Sequence, residues 1–342
     1  MSTQSYRAMQ ATGNGRLELV ERPLQDPQPG HVRLRVEACG VCHTDAAVVA
    51  GPFPGIVYPR VPGHEVVGRI DALGEGVTRW SLGQRVGIGF LGGHCGECAP
   101  CRRGDFVNCP NQPSSGMSYD GGYAEAMIAN QNGLVAVPDD LDAVDAAPLL
   151  CAGVTTFNAL RRSSALAGQL VAIQGVGGLG HLGIQFARNM GFRVAAIARG
   201  TDKKALALKL GAHHYIDSEA EDAAAALRAL GGASVILGTA SNSPSMSPLV
   251  GGLAPRGQLL VVGGGEDPLT VHVLALVFGE KAIAGSITGS PIETEDTLDF
   301  SVLQNIRPMI ETVPLEEAQS GYDRMMRNEA RFRIVLVMDG SR

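Results

Sequence analysis

The sequence has no excess of positive charge and no segment of the kind that enters a membrane. Its 28 lysines and arginines face 34 aspartates and glutamates, for a formal net charge of −6. Nucleic acids and anionic membranes are bound by basic surfaces, so this balance argues against partners of both kinds. No apolar run reaches the roughly 20 residues that span a bilayer. The amino-terminal segment MSTQSYRAMQATGNG has no apolar signal core, so we expect a cytoplasmic protein.

Cysteine is absent after Cys151, so any cysteine chemistry belongs to the first half of the chain. In a reducing compartment, seven cysteines are expected to be metal ligands or core residues rather than disulfides. Cys39 is interpreted as a small buried core residue. The spacing Cys39-x2-Cys42 imitates a redox dithiol, but it lies in a β region and not at a thioredoxin-like helix start.

The chain shows no repeat, no low-complexity tract and no long linker, and its 342 residues suit two domains. Residues 31–137 show period-two alternation, which predicts short antiparallel strands. Beyond residue 153, apolar runs alternate with helical stretches, one of them at 245–254, which predicts a parallel sheet covered by helices. The predicted α/β fold is a β-rich catalytic domain (1–152, with a return at 291–342) interrupted by a doubly wound Rossmann cofactor domain (153–290).

A glycine-rich turn follows the predicted strand at 170–174. Its first glycine allows a tight turn, its second lets the backbone meet a pyrophosphate, and its last lets the helix pack on the strand. The helix that follows would turn its N–H groups and dipole towards the phosphates. The strand before it and the helix after it favour a dinucleotide site over a structural turn. The residues of this turn are Gly175, Gly177, Gly178, Leu179 and Gly180.

The end of the next strand bears on which dinucleotide is bound. NAD-binding folds place Asp or Glu there to hold the adenosine ribose, whereas this chain has Ala198 followed by Arg199. A carboxylate would repel a 2′-phosphate, but Arg199 with Lys203 or Lys204 could pair with it. Alternatively, Arg199 stacks on the adenine of NAD. The sequence therefore predicts NADP as the preferred cofactor, with NAD as the alternative.

The loop Cys95-x2-Cys98-x2-Cys101-x7-Cys109 has the spacing of a metal site. Three thiols two residues apart, with a fourth nearby, can close a tetrahedron of Zn–S bonds. Four thiolates leave no open position, so the loop predicts a structural zinc rather than a catalytic one. A zinc ribbon that binds nucleic acid fits less well, because the loop carries only two arginines in an acidic chain.

A second candidate metal set is spread along the sequence. Cys42 lies in GVCHTD, His64 in GHE, and Cys151 just before the cofactor domain. Two cysteines and a histidine leave a fourth position for water or substrate. Zinc there would ease proton loss from a bound alcohol and polarise a bound carbonyl. Asp45 and Glu65 are carboxylates suited to orienting a ligand and tuning the charge at the metal.

Six motifs run in the order of the zinc alcohol dehydrogenase family: GVCHTD, PGHE, the four-cysteine loop, LLCAGVTT, GxGGxG and GSITGS…TLDF. The chain resembles that family over essentially its whole length, and most of all its yeast/bacterial and cinnamyl-alcohol-dehydrogenase-like branches. The resemblance implies a GroES-like fold for the β-rich catalytic domain. It also implies two zinc ions per chain, one catalytic and one structural.

The resemblance implies roles for individual residues. Cys42, His64 and Cys151 would be the catalytic zinc ligands, with Glu65 close behind the metal. Thr44 would pass the substrate hydroxyl proton towards the cofactor ribose. The resemblance also implies His43 and Arg333 at the pyrophosphate and Thr155 at the nicotinamide. Phe53, Phe90 and Leu91 would surround the substrate. The remaining predicted cofactor contacts are Val262, Ser286 and Ile287.

One position departs from the family pattern. Many relatives have a histidine five residues after the ligand cysteine, as the outer end of a proton relay, and this chain has Ala47 there. Water or another side chain would then carry the proton away. The stretch between Cys109 and Cys151 is short, as in tetrameric relatives, which implies a homotetramer paired through the edge strand of each cofactor sheet, at 282–290.

The predicted function is reversible hydride transfer between a nicotinamide cofactor and a primary or simple secondary alcohol or its carbonyl product. Phe53, Phe90 and Leu91 favour medium or aromatic substrates over polyols. Polyol dehydrogenases commonly carry a glutamate as third ligand, where this chain has Cys151. The competing hypothesis is a redox- or cofactor-sensing protein that keeps the fold without the chemistry. The presence of all three ligands and Thr44 argues against it.

Overall fold

The structure is a computed structural model that describes residues 4–51 and 53–338. The first three residues of the amino-terminal segment and the last four of the predicted return to the catalytic domain lie outside the described residues. The strands in chain order are β1 (Ser5–Ala11), β2 (Leu17–Pro23), β3 (His31–Val41), β4 (Val66–Leu73), β5 (Arg85–Ile88), β6 (Ala126–Asn130), β7 (Leu134–Ala136), β8 (Leu170–Gln174), β9 (Arg193–Ala198), β10 (His214–Asp217), β11 (Ala233–Gly238), β12 (Leu253–Val261), β13 (Ala282–Gly285), β14 (Ile310–Pro314) and β15 (Arg333–Val337).

The α-helices in chain order are α1 (Ala46–Val49), α2 (Ala99–Arg102), α3 (Ala143–Pro148), α4 (Val154–Arg161), α5 (Gly180–Asn189), α6 (Lys204–Lys209), α7 (Ala223–Ala229), α8 (Val273–Val277), α9 (Pro291–Leu303) and α10 (Ala318–Met326). A π-helical turn covers Leu149–Gly153, and 3-10 helices cover His43–Asp45, Phe106–Asn108, Gln131–Gly133, Ser243–Gly252 and Leu315–Glu317. The contacts divide the chain into two compact units, the first comprising Met1–Val154 with Thr288–Arg342 and the second Thr155–Ile287.

The first unit is built on a seven-stranded sheet with the order β14-β15-β3-β4-β5-β7, in which β6 also pairs with β3. Every pairing in it is antiparallel except that of β14 with β15. The central strand β3 is buried throughout its second half, from residue 36 to residue 41. Cys39 lies in this stretch with no exposed surface, as a core residue would.

The second unit contains a six-stranded parallel sheet with the order β10-β9-β8-β11-β12-β13. All five residues of β8 are buried, as expected for a central strand covered on both faces. The strand order reverses between β8 and β11, and ligands of open α/β sheets bind at such a reversal, beyond the carboxyl ends of the strands. The antiparallel and parallel sheets together confirm the predicted fold class.

The stretch at 245–254, predicted to be helical, is largely a 3-10 helix over Ser243–Gly252. Pro248 inside it removes a backbone donor, and the following glycine pair disfavours an α-helix. A separate continuous helical stretch, Ala143–Arg161, is long and apolar enough to cross a membrane by length and composition, but 78% of its apolar window is buried inside the protein. This burial is typical of a core helix.

Candidate active site

The two sequence-separated motifs GVCHTD and GHE meet at one edge of the antiparallel sheet. β3 ends at Val41 and β4 begins at Val66, and the two strands pair with Cys39 opposite Val66. Because the strands are antiparallel, the residue after the first and the residues before the second share an edge. The Gly40 N–H donates to the Glu65 carbonyl at 2.9 Å and fixes this approach.

Cys151 reaches the same place from the π-helical turn that follows α3. One ligand atom each from Cys42, His64, Glu65 and Cys151 lies within 4.8 Å of the others. The Sγ atoms of Cys42 and Cys151 are 3.8 Å apart. Two sulfurs bound to one zinc at about 2.3 Å in tetrahedral geometry would be separated by roughly the same distance. The structure therefore brings together the three predicted ligands and Glu65 in an arrangement that fits zinc.

The orientation of His64 also fits a metal. Its Nδ1 lies 3.1 Å from Asp45 Oδ1, and both side chains are almost fully buried. A carboxylate at Nδ1 keeps the proton on that nitrogen, which leaves the lone pair on Nε2. Nε2 is buried and has no hydrogen-bond partner among the described residues. The His64 side chain is 1% exposed, so water does not satisfy this acceptor. A metal in the cluster would explain it.

Asp45 is held in place by two further donors. Its Oδ2 accepts hydrogen bonds from the Cys42 N–H and from the Tyr123 hydroxyl, each at 2.9 Å. Burial and the Asp45 charge raise the pKa of the Tyr123 phenol well above its usual value, so it remains a donor. Tyr123 was not among the predicted site residues, because nothing in its sequence neighbourhood links it to Asp45.

Glu65 is fully buried and forms an ion pair with Arg333, whose Nη2 donates to Glu65 Oε1. Gly40 makes room for this carboxylate, because a Cβ at Gly40 would lie 1.9 Å from Glu65 Oε2. Burial raises the pKa of Glu65 to about 7, and the Arg333 charge partly offsets it. The hydrogen bond from Cys151 is the largest cause that lowers the pKa of the Cys42 thiol well below its usual range, and the charge of Arg333 adds to it. The site thus favours a thiolate at Cys42.

The remaining predicted residues of the first unit differ in their distance from this cluster. Thr44 is exposed, with Oγ1 3.7 Å from Cys42 Sγ, and His43 beside it is also exposed. The Phe90 ring meets the His64 ring edge-on, with centroids 5.7 Å apart. Leu91 is buried and lines a small cavity with Phe90. Phe53 is 48% exposed in the segment after α1.

The four cysteines of the loop also converge, with ligand atoms within 4.8 Å of one another. The Sγ of Cys95 lies 3.9 Å from that of Cys101 and 3.6 Å from that of Cys109, close to the separation expected around a tetrahedral zinc. The backbone N–H groups of Glu97 and Cys98 lower the pKa of the Cys95 thiol to about 6, which favours the thiolate that metal binding requires. The sulfur donor set fits a closed structural zinc site.

In the second unit, the glycines after β8 meet three different requirements. Gly175 has a φ of 97°, which favours glycine, and a Cβ at Gly180 would lie 1.9 Å from the Gly175 carbonyl oxygen. A Cβ at Gly177 would meet no atom of the described residues within 4 Å. The first and last glycines therefore serve the turn and the packing of α5, whereas the space beside the middle glycine is open. Gly178 and Leu179 complete the turn before α5.

Arg199 follows β9, is exposed, and forms no hydrogen bond or ion pair with the part of the chain that the structure describes. Lys203 and Lys204 open α6. The nearby Asp217 carboxylate is occupied, because its Oδ1 accepts from the N–H groups of Gly200 at 2.8 Å and Glu219 at 3.0 Å. The other predicted cofactor contacts are Thr155, buried on α4, Val262, which follows β12, and Ser286 and Ile287, which follow β13.

Comparison with known proteins gives matches in both units. Residues 28–139 match the family described as alcohol dehydrogenase GroES-like domain, and residues 178–302 match the family described as zinc-binding dehydrogenase. The alcohol dehydrogenase patD of Penicillium expansum is 43% identical over 340 residues, covering 98% of each chain. An alcohol dehydrogenase of Geobacillus stearothermophilus is 39% identical over 319 residues, covering 93% of this chain and 94% of its own. The solved structure of the cinnamyl alcohol dehydrogenase SbCAD4 of Sorghum bicolor is 31% identical, has a TM-score of 0.89 and covers 99% of each chain.

Proposed function

Since the chain belongs to the zinc-type medium-chain alcohol dehydrogenase family, we propose that it is a zinc-dependent enzyme that interconverts alcohols with their aldehydes or ketones by hydride transfer to and from NADP. The observation that carries this proposal is the convergence of Cys42, His64 and Cys151, with Asp45 behind the histidine. The test is a cofactor-absorbance assay over a panel of alcohols and aldehydes with both cofactors. Cofactor binding without turnover of any alcohol or aldehyde in the panel would favour the competing hypothesis of a redox- or cofactor-sensing protein.

The chain's own residues would hold and orient the metal and the substrate. Cys42, His64 and Cys151 would bind the metal, and Asp45 would keep the imidazole in the required tautomer. When bound, zinc supplies a Lewis acid that stabilises negative charge on the substrate oxygen. Thr44, exposed beside Cys42, would take the hydroxyl proton of the substrate, and water or another side chain would replace the relay histidine absent at Ala47.

We propose apolar or aromatic substrates, because the side chains beside the cluster are apolar. Phe90 lies edge-on to the ring of His64, and Leu91 follows it in the lining of the same small cavity. Phe53 is proposed as an outer pocket residue. Polyols would leave their additional hydroxyls without partners against such side chains.

Cofactor contacts are proposed in both units. The glycine turn and the first residues of α5 would bind the pyrophosphate. As the family resemblance implies, His43 and Arg333 are also proposed as pyrophosphate contacts. Besides its bond to Glu65, Arg333 has a buried Nε without a hydrogen-bond partner among the described residues. The proposed contacts to the rest of the cofactor are Thr155, Val262, Ser286 and Ile287.

The first prediction concerns the choice between NADP and NAD. Arg199 carries an exposed guanidinium without a protein partner in the described residues, and Ala198 offers no carboxylate to repel a 2′-phosphate. One charge-assisted contact is worth about 1.5–3 kcal/mol, or roughly ten- to a hundredfold in kcat/KM. The native protein should therefore prefer NADPH to NADH by about this factor in kcat/KM, measured with one aldehyde. The double variant Ala198→Asp with Arg199→Ala should lose the preference.

The matched control is Arg256→Ala, because Arg256 is an exposed arginine of the same unit whose guanidinium already pairs with Glu280. It should leave the cofactor ratio unchanged. A native preference for NADH that the double change does not move would refute the NADP proposal, while the zinc chemistry would be unaffected.

We also propose that the working form is a cytoplasmic homotetramer assembled through the β13 edge of the cofactor sheet. β13 is the last strand of that sheet, so its outer edge has no partner strand within the described residues. Four large apolar residues of the adjoining α8 segment are exposed: Val273 (69%), Leu274 (50%), Val277 (60%) and Phe278 (81%). Several large exposed apolar side chains within one short segment are typical of an interface.

The second prediction tests this assembly. The native protein should be a tetramer by light scattering at micromolar concentration, and Phe278→Glu should shift it to smaller species by placing a charge in the contact. The control Leu208→Glu changes an exposed leucine (43%) on α6, which packs by β10 at the opposite edge of the sheet, and should stay tetrameric. A monomeric native protein would overturn the assembly proposal.

A further inference from the structure

Tyr123 packs directly against the segment that carries His64. Its side chain has no exposed surface, and a Cβ at Gly63 would lie 2.5 Å from its ring. The backbone of the two segments is also joined: the N–H groups of Gly122 and Tyr123 donate to the carbonyls of Gly63 at 3.1 Å and Pro62 at 3.0 Å. The Tyr123 ring is therefore fixed by backbone hydrogen bonds and packing that do not depend on its hydroxyl.

The hydroxyl of Tyr123 has a specific partner on the metal side. It donates to Asp45 Oδ2 at 2.9 Å, while Asp45 Oδ1 lies 3.1 Å from His64 Nδ1. The Cys42 N–H is the other donor to Oδ2. Within the described ranges, no lysine or arginine forms an ion pair with Asp45, which is 2% exposed. A buried carboxylate with so few donors depends on each of them.

On the premise that the proposed function is correct, we propose that Tyr123 is a positioning residue for the catalytic metal. Its hydroxyl holds the Asp45 carboxylate in the one rotation that keeps Oδ1 on His64 Nδ1. Without the hydroxyl, Oδ2 retains the Cys42 N–H alone, and the carboxylate can turn. The imidazole then loses part of its orientation, and the metal loses a well-aligned ligand.

A purely structural role for Tyr123 leads to a different expectation. If the residue only fills the core beside Gly63, phenylalanine would serve equally well, because it keeps the ring and the backbone bonds. The two roles are therefore distinguished by Tyr123→Phe, which removes only the hydroxyl oxygen. Tyr119→Phe is the matched control, because the Tyr119 hydroxyl pairs with Ser115 Oγ at 2.9 Å and with the Gly92 carbonyl at 3.3 Å and does not contact Asp45.

The experiment measures metal binding in the native protein and both variants. Zinc affinity is determined by competition with a chromophoric chelator, and the ligand field is recorded in the visible absorption of protein loaded with cobalt(II). We expect Tyr123→Phe to bind the catalytic metal about tenfold more weakly, the lower end of the range for partners of metal ligands. Its cobalt spectrum should shift, while the metal of the four-cysteine loop stays bound. Tyr119→Phe should match the native protein in both measurements.

Each other outcome counts against a definite claim. Native affinity and an unchanged cobalt spectrum in Tyr123→Phe would refute the positioning role while leaving the proposed function intact. Equal loss of both metals from Tyr123→Phe would also refute it, because the residue would then support the fold in general. A native protein that binds metal at the four-cysteine loop only would contradict the proposed function itself.

Discussion

His64→Ala should lose nearly all alcohol-dependent turnover while still binding the nicotinamide cofactor. The change removes the histidine ligand of the cluster and leaves the buried Asp45 Oδ1 without its histidine partner. Loss of the Lewis acid removes several kcal/mol of charge stabilisation, so kcat should fall by at least about a thousandfold. The glycine turn belongs to the second unit, so cofactor binding, followed by the fluorescence of the reduced nicotinamide, should stay measurable.

The control for this prediction is His31→Ala. His31 is a histidine of the same unit whose ring hydrogen-bonds, among the described residues, to Gln28 and the Pro29 carbonyl and not to the cluster. Its turnover should equal that of the native protein. The histidine assignment would be wrong if His64→Ala, shown to be folded by circular dichroism, retained more than a tenth of native kcat.

Cys98→Ser should lose one zinc and a large part of the thermal stability of the protein. The four-cysteine loop has little regular structure, with the four-residue α2 and a short 3-10 helix, so the metal would be its main support. Loss of a structural site is expected to cost about 2–4 kcal/mol, and at roughly 2 °C per kcal/mol the midpoint of thermal unfolding should fall by about 4–8 °C. Elemental analysis and calorimetry measure both effects.

Cys39→Ala is the matched cysteine control. Cys39 is fully buried and belongs to neither group of convergent ligands, so its loss should leave two zincs per chain and a nearly native unfolding midpoint. A native protein that is well folded with a single zinc would contradict the interpretation of the four-cysteine loop. The same conclusion would follow if Cys98→Ser kept both metals.

The sequence predicted the fold class because periodicity is a local property. Period-two alternation along 31–137 and the alternation of strands with helices after residue 153 each depend on neighbouring residues. Elements with weak periodicity were missed. The strand β10, with the sequence HYID, is short and polar, and it forms by pairing with β9. The 3-10 helix at Ser243–Gly252 contains apolar residues at suitable spacing for an α-helix, but its prolines and glycines determine a different geometry.

The sequence predicted those residues of the site that lie in recognisable motifs. Spacing alone indicated the four-cysteine loop, whereas the joining of Cys42, His64 and Cys151 depended on the resemblance of the whole chain to a known family. The structure brings both sets together. The ion pair of Glu65 with Arg333 was not predicted, because it joins residues 268 positions apart. No local pattern carries such information.

Two further features of the site depend on tertiary packing. The need for glycine at position 40 follows from the carboxylate that faces it, since a Cβ there would collide with Glu65. The contact of Tyr123 with Asp45 joins residues 78 positions apart through a buried hydroxyl. In the sequence alone, Gly40 and Tyr123 look like ordinary residues of a β-rich region.

The central claim is that a metal held by Cys42, His64 and Cys151 is required for hydride transfer between a nicotinamide cofactor and an alcohol or carbonyl compound. The most direct measurement is the aldehyde-dependent oxidation of reduced cofactor. It is made on the native protein, after a chelator has removed the metal held by Cys42, His64 and Cys151, and again after zinc has been restored. Chelation should abolish turnover while the structural zinc and cofactor binding persist, and added zinc should restore it. Undiminished turnover by protein that elemental analysis shows to be free of metal would contradict the account.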